Sequence, residues 1–409
     1  MGDMGVEVPS TNELLDFVPV AQYSDHADAR RGGPLHLSAL LPAVSAAIGV
    51  PIATSVHPDP ERCRVALDMP KASSAIVVLV DGMGYWNLAM RLGHAPYLRS
   101  LMNETANQRT ISTCTPSTTV AAMGTFGTGT CPGLTCMTGY TQRNPDTGAL
   151  CQLIGFKEAP DPLDLQRQPT VFERLGERGV RVTTVGLPKF ADSPLTKAAL
   201  RGPAYVGDIS PSQRALAACR AARSAGLTYL YIRDADKIGH NYGWNSQRWI
   251  AAFERIDAQL ALVRRNAPKG TLIVITADHG MIEADPGQRI DIAREPLLSA
   301  GVAMVGGEPR APMLYAEADA DAGDIARRWR ERLGDSALVL TRGEALADGL
   351  FGPVDARVSA MLGDVIVAAR AQTTIVDSRS QTDKATRLPS VHGSRTMMEM
   401  DIPCLIDVA

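Results

Sequence analysis

Four short runs constrain this chain more than any other feature: AIVVLV (75–80), RVTTVGL (181–187), LTYLYI (227–232) and TLIVIT (271–276). Each is dense in β-branched, aromatic or leucine side chains and too short for a typical helix. Runs that are apolar on both faces belong in a parallel sheet covered by helices. The stretches 213–224 and 247–265 supply such helices, so the expected core is α/β. DIPCLIDV (401–408) reads as one more buried strand at the end. With 409 residues, 45% of them apolar, the chain can bury a sizeable core and still carry an insertion.

The pattern changes near residue 300. MLYAEA (313–318) precedes the charged helix AGDIARRWRERLG, then ALVLT (337–341), VIVAA (365–369) and TTIVD (373–377). Units this short suggest a small cap, expected at 305–361, inserted into a core formed by 71–304 and 362–409. Residues 1–70, rich in Pro and Asp around a helix from Leu37 to Ile48, read as a lead packed on the outside of that core.

Three of the apolar runs end in acidic turns. AIVVLV leads into Asp81-Gly82-Met83-Gly84, LTYLYI into Arg233-Asp234-Ala235-Asp236 and then His240, and TLIVIT into Ala277-Asp278-His279-Gly280. In an open parallel sheet, sites form beyond the carboxyl ends of the strands. Taken singly, each motif has an ordinary reading. Asp81 and Asp278-His279 are good turn chemistry, Asp236 and His240 an exposed helical pair, and His392 a surface histidine. Together, Asp81, Asp236, His240, Asp278, His279 and His392 make six oxygen and nitrogen ligands, enough for two metal sites of three protein ligands each. Three ligands leave open positions, the design of a catalytic site. A nucleophile is on offer in Thr115-Pro116-Ser117-Thr118-Thr119-Val120, just before a helix of small residues. A hydroxyl there meets the positive end of the helix dipole, where phosphate binds well, although an ordinary N-cap has the same look.

At this point the residues resemble the type I phosphodiesterase and nucleotide pyrophosphatase branch of the alkaline-phosphatase superfamily. The matching pieces are Asp81, Pro116-Ser117-Thr118-Thr119, Asp236-x-x-x-His240, Asp278-His279-Gly280-Met281 and His392-Gly393, in that family's order. The resemblance implies a three-layer sandwich with a mostly parallel central sheet and a small inserted α+β cap. It implies one divalent ion on Asp236, His240 and His392, and a second on Asp81, Asp278 and His279 with Thr119 bound to it as nucleophile. Zinc suits these ligands, with manganese the alternative. Asp234 rivals Asp236, but only Asp236 has His240 at the family spacing. Better-known members carry an Asn that holds a phosphoryl oxygen, and Gly139-Tyr140 occupies that stretch here; the Tyr140 hydroxyl is the expected replacement donor. The family's Phe-Pro-Asn after the nucleophile is replaced by Val120-Ala121-Ala122.

The implied function is hydrolysis of a phosphodiester or pyrophosphate bond, as in a nucleotide, through a threonyl-phosphate. A phosphomonoesterase or phosphonate hydrolase of the same superfamily is the alternative, and an inactive phosphate-ester binder the alternative of another class. The segment Thr113–Thr130 has no Lys or Arg, which favours a diester over a dianionic monoester. Lys237, between two ligands, either reaches the substrate or stands solvated. A net charge of -3 without basic runs excludes duplex nucleic acid as a partner. No membrane partner is expected. Seven irregularly spaced cysteines read as reduced thiols, and the N-terminus lacks a signal-peptide pattern, so a cytoplasmic location is expected.

Overall fold

A computed structural model describes residues 6–23 and 31–409. Eleven strands build its two principal sheets: β1 Ser74–Val80, β2 Thr110–Ser112, β3 Arg181–Gly186, β4 Ala204–Gly207, β5 Gly226–Ile232, β6 Leu272–Thr276, β7 Val302–Glu308, β8 Ala311–Ala316, β9 Ala337–Thr341, β10 Val365–Ala369 and β11 Asp401–Val408. Five helices matter for the site and its frame: α1 Leu37–Ala47, α2 Thr119–Thr128, α3 Asp234–Tyr242, α4 Gln247–Asn266 and α5 Ala322–Leu333.

The central sheet runs β2-β11-β6-β1-β5-β3-β4. From β6 through β4 all neighbours are parallel, and β11 pairs antiparallel with both β6 and β2. Every residue of β1 and β6 is buried, as strands covered on both faces must be. Burying each Val, Leu or Ile side chain contributes about 1.5–3 kcal/mol, so these strands anchor the core. The register decides where the chemistry lands. Val80 lies beside Ile232 and Leu79 beside Thr276, so the turns beginning at Asp81, Arg233 and Ala277 leave one edge together. Because β11 runs the other way, with Cys404 beside Thr276, the segment before it reaches that same edge. That segment carries His392.

The four strands β7-β8-β10-β9 form a separate antiparallel sheet, packed on α5 through Ile325, Trp329 and Leu333. It takes in all of β7 and β10, so its strands run from Val302 to Ala369, beyond 305–361 at both ends. The physical reason is pairing: VIVAA bonds along its length to ALVLT and not to the central sheet. The N-terminal lead contributes one helix to the core. Every residue of α1 is buried, and its side chains pack into the main core cluster. LSALLPAVSAA is apolar all round, and such a helix needs cover on all sides.

All seven cysteines are buried and none forms a disulfide. Among the described residues no helix is long and apolar enough to cross a membrane.

Candidate metal centre and active site

The sheet edge brings together all seven residues expected to carry metal or chemistry. Asp81 follows β1 directly, and Gly82 takes φ +72° behind it. A Cβ on Gly82 would stand 2.9 Å from the Asp236 Cα, so only glycine lets this turn approach the start of α3. The Asp236 amide then donates to the Asp81 carbonyl at 2.9 Å, fixing one carboxylate against the other. Asp278 is held by the amides of Gly82 and His279, both donating to its Oδ1 at 3.0 Å. Gly280 packs so closely that a Cβ would sit 1.9 Å from the Met398 carbonyl oxygen, tying this turn to the chain that enters β11.

Three histidines face the carboxylates, each anchored through its outer nitrogen. His240 Nδ1 lies 2.8 Å from the Ser390 carbonyl, His392 Nδ1 2.8 Å from the Ser117 carbonyl, and His279 Nδ1 3.1 Å from the Gly280 carbonyl. A carbonyl only accepts, so each Nδ1 carries a proton, and in the neutral ring each Nε2 presents a lone pair. Those lone pairs converge. His240 Nε2 is 3.1 Å from His392 Nε2 and 3.1 Å from Asp236 Oδ1, and His392 Nε2 is 3.6 Å from that same oxygen. His279 Nε2 is 3.7 Å from Asp81 Oδ1 and 3.4 Å from Asp278 Oδ2, and its ring stacks on His392 at 3.6 Å between centroids.

Asp81 Oδ1, Asp236 Oδ1 and Asp278 Oδ2 are buried without any hydrogen-bond donor. Buried acceptors normally find a donor, so three orphans side by side, facing lone pairs, call for a cation. The electrostatics agree. Burial, with Asp278 and Asp236 adding repulsion, pushes the Asp81 carboxyl well up, and burial also raises Asp278. Burial works on Asp236 in the same direction, yet His240, His392 and His279 outweigh it and hold that carboxyl down. Burial, His279 and His240 drive His392 well below the usual histidine value.

Two ligand groups result. One ligand atom each from Asp236, His240 and His392 lies within 4.8 Å of the others. The second tight group is Asp81, Asp236 and His279, with the Asp236 carboxylate common to both. Asp278 adjoins that group through its free Oδ2.

Thr119 opens α2 and is its one residue not fully buried. Its hydroxyl donates to His279 Nε2 at 3.2 Å. Thr118 is the N-cap, buried and extended at φ -132°, ψ 147°, and engages Glu308 instead. Two cavities meet at Thr119. One, of about 540 Å³, is lined by Tyr140, Glu308, His240 and His392. The other, of about 530 Å³, is lined by Asp81, Tyr231, Lys189, Arg233 and Lys237. Tyr140 is 39% exposed, and its hydroxyl accepts from Gln152 Nε2 at 2.6 Å. Lys237 is exposed at the rim.

Sequence reasoning missed several partners. Tyr231 donates its hydroxyl to Asp81 Oδ2. Asn87 grips the Met281 backbone with both amide atoms at 3.0 Å, steadying the Asp278-His279 turn. Burial pushes the Glu308 carboxyl up to about 7, although the Tyr140 amide and Thr118 pull against it. Only Tyr231 had a signal, since it lies on the strand beside β1; Asn87 and Glu308 reach the site through tertiary packing.

The fold has solved relatives. A murine ectonucleotide pyrophosphatase/phosphodiesterase 5 structure overlays with TM-score 0.64 at 15% identity, covering 81% of this chain and 87% of that one. The phosphonoacetate hydrolase of Sinorhizobium meliloti, solved with phosphonoformate, overlays with TM-score 0.63 at 20% identity, covering 82% and 90%. A phosphopentomutase of Rhizobium johnstonii is 33% identical over 117 residues, 28% of each chain, so the match spans under a third of that curated relative. The sequence model described as type I phosphodiesterase / nucleotide pyrophosphatase matches residues 75–395, from the first core strand to just past His392, and the chain belongs to that family.

Proposed function

We propose that this protein is a metal-dependent hydrolase that cleaves a phosphodiester or pyrophosphate bond through a threonyl-phosphate on Thr119. The observation that carries the reading is the cluster of three orphaned carboxylate oxygens facing three histidine lone pairs beside the Thr119 hydroxyl. Asp236, His240 and His392 would hold one divalent ion, zinc or manganese. Asp81, Asp278 and His279 would hold the other, with Thr119 beside it and Asp236 near enough to share. Divalent ions so held lower the pKa of a neighbouring hydroxyl and neutralise phosphoryl oxygens. The chain's own part is orientation. Thr119 attacks phosphorus in line, the bond to the leaving oxygen breaks, and water later hydrolyses the threonyl ester. The amides in the first turn of α2, which lack intrahelical partners, would favour a phosphoryl group bound there. Cavities on both sides of Thr119 suit a phosphorus with two substituents, which supports a diester. The cytoplasm is the proposed location, and a nucleotide-like small molecule the proposed substrate. Tyr140, at the wall of one cavity, is a candidate substrate contact, although its hydroxyl already accepts from Gln152.

Phosphonate cleavage is a second reading of the same centre, supported by the likeness to phosphonoacetate hydrolase. The complete ligand set and the placed hydroxyl argue against an inactive binder.

Purified protein should hold close to two transition-metal ions per chain, read by elemental analysis. Chelation should abolish hydrolysis of bis(4-nitrophenyl) phosphate, and zinc or manganese should restore it. Full activity in verified metal-free protein would end this reading.

His392→Ala should weaken one ion selectively, because Asp81, Asp278 and His279 remain. Stoichiometry should fall toward one, with a loss of metal affinity greater than the roughly 10–100-fold seen when only an outer partner is removed. An unchanged metal count and rate would mean that His392 binds nothing.

A further inference from the structure

Away from the ligand cluster the core encloses a complete ion pair. Arg310, in the hairpin between β7 and β8, and Glu399, in the helical turn Met397–Met400 that precedes β11, are both 0% exposed. The guanidinium donates Nε to Glu399 Oε1 at 3.1 Å and Nη2 to Oε2 at 2.9 Å. Its Nη1 donates to the Thr373 and Arg370 carbonyls at 2.6 and 3.3 Å. Glu399 also receives the Thr396 hydroxyl at 2.6 Å and the Ser394 amide at 3.0 Å. Taking two charges out of water is costly, and apolar side chains of similar volume often stabilise a fold as well or better. Stability alone therefore gives no reason for this pair.

Its position gives one. Glu399 stands between the two turns that carry ligands from different metal groups. Its carboxylate holds the Ser394 amide, two residues beyond His392, and its carbonyl accepts from the Gly280 amide at 2.9 Å, next to His279. Ser394 passes the hold on to the nucleophile segment. The Ser394 carbonyl accepts from the Ser117 hydroxyl at 2.7 Å, and that hydroxyl accepts from the Gly393 amide at 3.1 Å. Ser117 lies two residues before Thr119, and its carbonyl is the acceptor that fixes His392 Nδ1. Arg310 ties all of this to the second sheet. Its carbonyl accepts from the Ala369 amide at 2.8 Å, and the Ala369 carbonyl accepts from the Ser394 hydroxyl at 2.6 Å.

Resting on the two-metal reading of the same centre, we propose that Arg310 and Glu399 are a positioning pair, which holds the His279 and His392 turns in register so that the ligands of both ions meet. Neither residue lines the cavities at Thr119, so the pair acts through the turns it holds. The fork matters as much as the charge. Two parallel N–H donors fix the carboxylate in orientation as well as distance, and a lysine ammonium would leave it free to turn. Partners outside the ligand shell typically change metal affinity by about 10–100-fold when they are lost.

Titration of metal-free protein with cobalt(II), followed by visible absorption, tests the pair without relying on turnover. The Arg310→Met, Glu399→Leu double variant removes both charges and leaves neither unpaired, so it should fold and melt near the wild type without metal. It should nevertheless bind both cobalt ions about tenfold or more weakly, with a shifted absorption band. Arg310→Lys keeps the charge but loses the fork, and should weaken both ions by a smaller factor, about threefold. If the double variant does not fold, Arg310→Lys decides alone. Wild-type cobalt affinity and spectrum in either folded variant would overturn the positioning role and leave the metal reading standing. A wild type that takes up no cobalt would overturn both together.

Discussion

Thr119→Ala is expected to lower turnover by about a thousandfold or more, a loss of about 4 kcal/mol of transition-state stabilisation. The alanine removes the atom that would form the covalent ester, so what remains is whatever water can do at the same centre. Folding should survive. The Thr119 side chain is partly exposed, its hydroxyl makes a single contact with His279, and α2 is fixed by its buried small residues and not by this group. Metal content should survive too, since the other ligands remain. The expected result is thus a folded, metal-loaded protein that binds substrate and barely turns over, with no phosphate trapped on the chain after acid quench. The adjacent Thr118 supplies the control. It is buried and its side chain engages Glu308 without capping α2, so Thr118→Ala should disturb local packing more than chemistry. A dead Thr118→Ala beside an active Thr119→Ala would move the nucleophile by one residue.

The parts of this molecule that could be read in advance are those governed by local rules. Strands apolar on both faces belong in a covered parallel sheet, and the five runs at 75–80, 181–187, 227–232, 271–276 and 401–408 all became strands of the central sheet. Turn residues after three of them necessarily share an edge, which is why Asp81, Asp236 and Asp278 were legible as one site. What stayed hidden depends on tertiary approach. Nothing local says that β10 pairs with β9 instead of joining the central sheet, so the limits of the second sheet were out of reach. A helix of small and aliphatic residues gives no sign of whether it lies on a core or within it, and α1 lies within it. Lys189 follows a different strand from Arg233, and only the packing of both on Phe190 brings them together. Glu308 similarly reaches Thr118 and the Tyr140 amide from a hairpin far along the chain. Sharing of Asp236 between two ligand groups is likewise a matter of tenths of an ångström, beyond what any spacing encodes.

That sharing sets the other large expectation. Asp236→Asn should cost more metal than the loss of any histidine, and should affect both ions instead of one. Its Oδ1 lies 3.1 Å from His240 Nε2 and 3.6 Å from His392 Nε2, and it also belongs to the group with Asp81 and His279. Asparagine keeps the shape and one carbonyl oxygen but removes the charge, and hard or borderline divalent ions depend on that charge. Changing an outer partner of a metal ligand typically costs about 10–100-fold in affinity, so replacing a carboxylate common to two sites should exceed about a hundredfold for each. The metal-free protein should change in the opposite sense. Asp81 and Asp278 are both pushed up in part by the Asp236 charge, so its removal eases the repulsion among the three carboxylates. Asp236→Asn should therefore retain fold and thermal stability without metal while failing to gain the stabilisation that zinc or manganese confers on the wild type. The measurement is a pair of melting curves, with and without saturating metal, beside a stoichiometry by elemental analysis. Loss of one ion with the other at full occupancy would show that Asp236 serves a single site. In that case Asp278, whose free Oδ2 lies 3.4 Å from His279 Nε2, would complete the second set alone with Asp81 and His279.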